Sequence, residues 1–402
     1  MIKLLIVLLL CIAPYWLMAQ APVDSANMNV DTTGQKDLLD IGNRLLKLKP
    51  RKYPKGKKQF YFSFLPISTA VPGGSKALVT STTAGFYLGD RSTTYISSVT
   101  FAPYFNLKGR YGLPVHSSVW LKDNSYNIQG DTRFLVYPQN TWGLGGGQAE
   151  NDRVLVNYNY IRFYQSVLKR ITPYFYVGLG YDLDYYTDIE TAGSVSLRDF
   201  TGYKYGTTPG DNSFSSGLTL NLLYDTRQNL FNPIPGIYAN LIYRENTSVL
   251  GSDNNSKSLY LDFRKYISLT SSGPKNQIAF WAYYWTTITA GTPYLNLPGV
   301  GMDPYQRSGR GMEQDRYRGE NFIYFESEYR RDITRNGLLG FVVFGNVNSA
   351  SQPNSRKFAY LNPAVGTGLR VKFNKKSNTN ICLDYGVSKG YSDIVVGLGE
   401  AF

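Results

Sequence analysis

Few residues in this 402-residue sequence are equipped for bond-making chemistry, and one stretch is equipped to grip a carboxylate. His116 is the only histidine, so a Ser-His-acid hydrolase or a histidine metal site would have to use it. It sits in an alternating segment, where a structural role is the simpler reading. Cys11 lies in a leader described below and leaves Cys382 alone, so no intramolecular disulfide and no zinc pattern can form. Gly143 to Gly147 lacks a strand-to-helix setting and reads as a hairpin loop, not a phosphate cradle. No cofactor and no enzyme are expected. Gly309-Arg310-Gly311 offers something else. Glycine permits a tight turn at a loop tip. Arginine is permanently charged, and its planar fork suits a buried or lumenal carboxylate. The chemistry on offer is non-covalent: a loop held by charge-assisted hydrogen bonds. The plain alternative is an ordinary loop arginine.

The elements that would position such a grip come from the rest of the chain. Residues 1–19 read as a signal peptide: Met1-Ile2-Lys3 is a short basic start, Leu4 to Leu10 and Cys11 to Ala13 are apolar, and Ala19-Gln20 suits cleavage. A lipid-anchored Cys11 is disfavoured, because Leu8-Leu9-Leu10 precede it where small residues are needed. Residues 20–58 read as a basic periplasmic arm, with Asp37 to Lys47 as a short helix and Arg44, Lys47, Lys49, Arg51, Lys52, Lys55, Lys57 and Lys58 as a basic run. The arm is either a solvated linker or a contact for anionic headgroups or a partner protein. The net charge of +13 carries no helical basic stripe, so nucleic acid is not expected.

From Gln59 to Phe402 the pattern is strand, turn, strand. The 34 Tyr and 21 Phe suit a surface where lipid meets water. Leu218, Leu220 and Leu222 share one face, opposite Thr219, Asn221 and Asp225. Leu259, Leu261 and Phe263 oppose Asp262 and Arg264. Ile237, Ala239, Leu241 and Tyr243 oppose Tyr238, Asn240 and Arg244. Thr367, Leu369, Val371 and Phe373 oppose Gly366, Gly368, Arg370 and Lys372. Charges keep to one face, as in a barrel whose polar face lines the lumen. About sixteen such segments fit an even-stranded antiparallel transmembrane barrel. They begin near Gln59, Ala77, Thr93, Pro114, Asn127, Arg153, Pro173, Ser213, Gly236, Lys257, Asn276, Asn321, Leu338, Asn362, Thr379 and Ser392. Thr289 to Glu320 holds no good strand and is rich in Gly, Pro and Arg, so it reads as a functional or packed loop. No segment after the leader has eighteen consecutive apolar residues, which excludes a helical membrane protein and leaves a barrel open.

Three stretches resemble the surface-antigen barrel domain of the BamA/TamA outer-membrane assembly superfamily. The first is Tyr224-Asp225-Thr226-Arg227-Gln228-Asn229, followed by Pro235-Gly236-Ile237-Tyr238. The second is Gly309-Arg310-Gly311-Met312, then Asp315 to Asn321, then Glu328-Tyr329-Arg330. The third is Gly366 to Phe373, Leu383-Asp384-Tyr385-Gly386, and the ending Gly397-Leu398-Gly399-Glu400-Ala401-Phe402. The resemblance implies a long sixth loop folded into the lumen, with Arg310 gripping the wall at Glu328. Arg318, in Tyr317-Arg318-Gly319, is the rival for that role. It implies that Gly397, Gly399 and Phe402 belong to a C-terminal assembly signal. Two departures stand out. Val343 occupies the position where the family places a second partner Asp, so either the lock is weaker or Asp384 substitutes. The arm before Gln59 is too short for the family's periplasmic polypeptide-transport-associated repeats.

Three functions follow as expectations for a barrel in the outer membrane with both termini periplasmic. The first is outer-membrane protein insertion, or service as the barrel partner of a surface or secreted protein. Its partners would be lipid, nascent outer-membrane proteins and a periplasmic or lipoprotein partner. A weak seam between the first strand (Gln59 to Ile67) and the last (Ser392 to Phe402) would template incoming strands. The second is a plugged pore or small-solute channel, with Arg264, Arg370 and Lys372 among the lumen charges. The third, an outer-membrane enzyme, has little in the sequence to support it.

Overall fold

The computed structural model describes residues 34–45, 47, 60–71, 75–90, 92–105, 109–208, 210–227, 232–233, 235–270, 275–375 and 378–402. The leader and most of the basic arm lie outside these residues, as do Gln59, Gln228 and Asn229. Among the described residues, nineteen β-segments form one sheet. They are β1 (Phe60–Val71), β2 (Ser75–Phe86), β3 (Ser97–Phe101), β4 (Tyr104–Phe105), β5 (Tyr111–Gly112), β6 (Val115–Trp120), β7 (Tyr126–Val136), β8 (Gln139–Thr141), β9 (Val154–Thr172) and β10 (Phe175–Thr191). After them come β11 (Ser213–Asp225), β12 (Gly236–Asn246), β13 (Ser256–Ser268), β14 (Asn276–Thr287), β15 (Asn321–Asp332), β16 (Leu339–Ala350), β17 (Asn362–Asn374), β18 (Thr379–Ser388) and β19 (Tyr391–Leu398). Among the described residues two short α-helices, α1 (Leu38–Leu45) and α2 (Leu197–Thr201), lie outside the sheet.

The nineteen segments make sixteen strands, because three strands are each broken once. β3 and β4 both pair with β2, β5 and β6 both pair with β7, and β7 and β8 both pair with β9. Pro103, Pro114 and Pro138 sit at the three breaks. Proline has no N–H to give to the ladder, so the strand is interrupted without changing direction. Every described ladder is antiparallel and joins sequence neighbours. β1 and β19 run alongside each other within 8 Å at their Cα atoms, with no hydrogen-bonded ladder between them among the described residues. The result is an all-β antiparallel barrel.

The alternation sorts side chains as the sequence pattern predicts. Leu218 and Leu220 are exposed on the outer face of β11, while Thr219, Asn221 and Asp225 are buried. On β17, Leu369 points outward while Arg370 and Lys372 are buried. The connections at one end, including 173–174, 333–338 and 375–378, are short. At the opposite end, the sixth connection runs from 288 to 320 with only a 3-10 turn, Tyr294–Asn296, inside it. This loop folds into the barrel. Val300, Met312 and Tyr317 pack in one apolar cluster with the inward-facing Tyr283, Phe322 and Tyr324 of β14 and β15. One apolar core of the protein is therefore the contact between a loop and the inner wall.

α1 is tied to the short-turn end. Asp37 and Asp40 form a reciprocal capping box, with Asp40 N–H donating to Asp37 Oδ1 at 2.7 Å. Lys375, in the β17–β18 turn, donates from its backbone to Asp37 (2.9 Å) and from Nζ to Asp40 (2.7 Å). The Lys375 bond holds the exposed Asp40 carboxyl below its ordinary range.

Candidate functional site

The tip of the sixth loop is built by its glycines. Gly311 has φ +82°, a left-handed conformation that strains residues with a Cβ. Its backbone also lies against Gly386 of β18, and a Cβ on Gly311 would meet Gly386 Cα at 3.1 Å. Gly311 N–H donates to Asp393 of β19 at 3.0 Å. With the tip held this way, Arg310 reaches the wall and is buried there.

Its guanidinium meets three carboxylates. Nε donates to Glu326 Oε1 at 3.0 Å, and Nη2 donates to both Glu326 and Glu328. Nη1 donates to Asp384 Oδ2 at 2.7 Å. The Phe344 ring lies 3.7 Å from the guanidinium carbon, a cation–π contact that seals one face of the fork. Asn346 on the same strand donates to the Arg310 carbonyl at 3.0 Å.

Strand periodicity explains the arrangement. Tyr324, Glu326, Glu328 and Arg330 alternate on the inner face of β15, so two carboxylates stand side by side on one strand. Asp384 comes from β18, with β17 in between. β17 presents Gly366 and Gly368 inward at this level. A Cβ on Gly368 would collide with the Asp384 carboxylate and a Cβ on Gly366 with the Phe344 ring. The two glycines leave room for residues of β16 and β18 to close over β17. Val343 is not in this space. It pairs with Tyr329 and Thr367 and is half-exposed on the outer face. The inward residue beside it is Phe344, so the carboxylate comes from Asp384.

The lock continues into a larger network. Arg330 Nε donates to Glu328 Oε1 at 2.5 Å. Arg370 donates to Asp384, and its Nε donates to Glu400 Oε2 at 2.7 Å. Asn380 also donates to Glu400, at 2.8 Å, and Lys275 Nζ lies 3.8 Å from it. Four cations, Arg310, Arg330, Arg370 and Lys275, therefore face four carboxylates, Glu326, Glu328, Asp384 and Glu400. Burial raises the Glu400 carboxyl, but Arg370, Lys275 and Arg330 outweigh it and hold it well below its ordinary value. Burial pushes Lys275 down to about 8, against the pull of Glu400.

The other predicted residues fall elsewhere. Arg318 faces no wall carboxylate. It pairs with Asp315 at 2.5 Å, lies over the Tyr294 ring at 4.9 Å, and its carbonyl accepts from Gly145 N–H at 2.7 Å. It braces the base of the loop. Asp225 caps the Arg227 N–H at 2.9 Å and pairs with that guanidinium at 2.9 and 2.8 Å, clipping the turn that leads to Gly236. Tyr224, half-buried, precedes it on the outer face. The three proposed pore charges are all partnered: Arg264 with Asp262, Arg370 as above, and Lys372 with Asn378 at 2.6 Å. His116 Nδ1 lies 3.3 Å from Asp131.

The last strand is shorter than the alternation suggests. Gly397 pairs with Cys382 inside β19, but β19 ends at Leu398. Gly399, at φ +82°, turns the chain inward, and Phe402 is buried against Trp281, ring centroids 5.3 Å apart. Sequence reasoning missed this turn and also missed Glu326. Glu326 was visible as the carboxylate two residues before Glu328, on the same face. It also missed a run of stacked groups around the inner wall: Arg227 over Tyr238 (4.1 Å), Arg264 over Trp281 (4.6 Å) and Arg330 over Phe402 (5.1 Å).

No family model and no curated protein matches the sequence. Solved structures do. BamA from Haemophilus ducreyi lacking POTRA domains 1–3 is similar over 86% of this chain and 71% of that one, at 13% identity and TM-score 0.54. CdiB from Acinetobacter baumannii is similar over 85% of this chain and 59% of that one, at 13% identity and TM-score 0.56. CdiB from Escherichia coli gives 85%, 62%, 10% and 0.53 in the same order. The chain thus spans about three fifths of the length of the two CdiB chains. At these identities the likeness speaks for architecture alone, and the architecture is that of a BamA- and CdiB-like barrel.

Proposed function

We propose that this barrel handles other polypeptides at the outer membrane, aiding the insertion of outer-membrane proteins or serving as the barrel partner of a surface or secreted protein. The observation that carries the reading is the filled lumen: the 288–320 loop is pinned through Arg310 to Glu326, Glu328 and Asp384. A solute channel needs open polar space, and the candidate pore charges are instead held by wall and tail partners, Arg264 by Asp262, Arg370 by Asp384 and Glu400, and Lys372 by Asn378. The likeness to BamA supports the insertion reading, and the likeness to CdiB supports a dedicated protein partner. The β1–β19 seam, where the strands run alongside without a described ladder, is the site we assign to strand templating. In this reading the short-turn end, with α1 and the last residues of the chain, faces the periplasm.

The test pairs two measurements on the purified protein in lipid. Single-channel conductance of the intact chain is expected to be small or flickering, and to rise when Gly299 to Glu320 is deleted. Vesicles carrying the intact chain are expected to speed the folding of an added unfolded small barrel protein, read as heat-modifiable migration. Steady large conductance without any acceleration would replace this reading with the channel.

A further inference from the structure

The glycine-rich connection between β8 and β9, residues 142–153, lies at the end of the barrel from which the sixth loop enters. It touches connections of strands that stand far from it in the sheet order. A Cβ on Gly147 would stand 2.6 Å from Cζ of Tyr360, in the β16–β17 connection. Only a residue without a side chain lets the backbone pass so close to that ring. A Cβ on Gly390, in the β18–β19 turn, would stand 3.5 Å from Glu150 Cγ. The hairpin therefore crosses the mouth of the barrel, above the loop.

The loop gives it several groups to hold. Arg316 Nε donates to Glu150 Oε2 at 3.2 Å and Nη2 donates to the Gln148 carbonyl at 2.7 Å, with the Trp142 ring 4.8 Å from the guanidinium carbon. Trp142 Nε1 donates to the Glu150 carbonyl at 2.9 Å, which folds the hairpin back around the arginine. Glu313 accepts from Asn140 at 2.8 Å, and Gly145 N–H donates to the Arg318 carbonyl at 2.7 Å. The sixth loop is thus held at two places. At its tip, Arg310 has three buried carboxylates. Under the hairpin, Arg316 has one carboxylate, on a Glu150 side chain that is 37% exposed. A half-exposed pair is worth far less than breaking a buried one costs. The hold at the mouth is the weaker of the two. Its seat against Gly390 places it on the turn that starts β19, at the edge of the seam.

We propose that the 142–153 hairpin is a releasable clasp on the sixth loop, with Arg316 as the positioning residue, and that the loop leaves the lumen only after the clasp has lifted from the turn that starts β19. That the loop leaves at all rests on the function proposed above; that the hairpin holds it does not.

The experiment uses the full chain in lipid and reads hydrogen exchange at the Gly145 amide together with single-channel openings. In Arg316→Ala both the Gly145 exchange rate and the opening frequency are expected to rise about tenfold, the loss of roughly one charge-assisted hydrogen bond. Amides of β15 and β18 should keep their protection, because Arg310 stays bound. If Arg316→Ala does not fold, judged by heat-modifiable migration, Arg316→Lys keeps the charge without the planar fork, and the same two rises should appear at smaller size. The seat is tested by Glu150→Cys with Gly390→Cys in a Cys382→Ser chain. Oxidised, this chain should open less often than after reduction, because the clasp cannot lift. A folded Arg316→Ala with unchanged Gly145 exchange overturns the clasp. Faster exchange with unchanged openings overturns its control of the loop. Cysteines that do not join, or a joined chain that opens as often as the reduced one, overturn the seat on the β18–β19 turn. Steady large conductance of the intact chain without any acceleration of barrel folding would sink the proposed function, and the Gly145 result alone then decides whether the hairpin holds the loop.

Discussion

Two charged clusters line the lumen, and they are built on different plans. One belongs to β7, β9, β10 and β12. There Asp131 takes Arg133 at 2.7 Å and Arg162 at 3.1 Å, and Asp184 takes Arg244 at 2.6 Å and the hydroxyl of Tyr164. Every charge in it comes from a strand. The sixth loop adds no charge to it: the Pro304 carbonyl accepts from Arg133 at 2.6 Å, and the Tyr305 ring lies 6.2 Å from that of His116, which faces Asp131. The other cluster spans β15, β17, β18 and the tail, and it closes only when the loop supplies Arg310. The first region is a finished wall. The second is a wall completed by a residue of the loop, and the loop's charged contact with the wall is concentrated there.

The comparison breaks most visibly at Arg310. Arg310→Ala leaves Glu326, Glu328 and Asp384 buried with one guanidinium fewer, and losing one partner of a buried pair costs about 3–5 kcal/mol. The guanidinium-chloride midpoint should fall, and hydrogen exchange should speed up in β15 and β18 while β7, β9 and β10 keep their protection. Uniform loss across both halves would show that the clusters are not independent. A midpoint equal to wild type would remove the lock altogether.

A second, smaller effect is expected at Arg162. It lies between the two carboxylates of the first cluster, 3.1 Å from Asp131 and 3.7 Å from Asp184. Each of those keeps another arginine, Arg133 or Arg244, when Arg162 is gone. Arg162→Ala should therefore cost about 1–3 kcal/mol and leave the single-channel conductance of the intact chain unchanged, because the loop stays seated. Conductance that rises in Arg162→Ala would mean that this wall also holds the plug.

How far the sequence could be read differs between the same two regions. Strand number and most inward faces were legible, because a period of two marks them wherever only one face of a strand is buried. Residues such as Leu218 and Thr219, or Leu369 and Arg370, declare their sides. The loop was legible as a long stretch without strand pattern, and Arg310 as its gripping residue through the resemblance carried by Gly309 to Met312 and Glu328 to Arg330. Its neighbours were only partly so. Glu328 and Asp384 carry visible charges, whereas the role of Gly368 depends on Asp384 reaching across from β18, a relation between strands that no single segment displays. Val343 shows the limit of alignment by position: a shift of one residue in a strand exchanges the inner and outer faces. Of the first cluster only the face of Arg244 was legible, and its pairings were not, since its carboxylates and arginines come from separate hairpins whose registers the sequence does not specify. The inward turn after Leu398 escaped for another reason. Up to that residue the tail alternates like a strand, and only the aromatic floor waiting inside draws Phe402 off the ladder.

The mildest probe of the comparison is pH, because it reaches the second cluster through one group. Lys275 is held at about 8 in the folded protein, and an unfolded lysine titrates near 10.5. Between those values the folded chain has released a proton that the unfolded chain still carries. The unfolded state then binds more protons, so this group makes stability rise with pH across that window and contributes no slope below it. Over the first unit above pH 8 the gain is about 1 kcal/mol. Lys275→Met should flatten that slope, while an equivalent change in the first cluster, Arg162→Ala, should leave it in place. A slope that survives Lys275→Met would place its origin elsewhere, and one that vanishes in Arg162→Ala would join the two clusters into a single network after all.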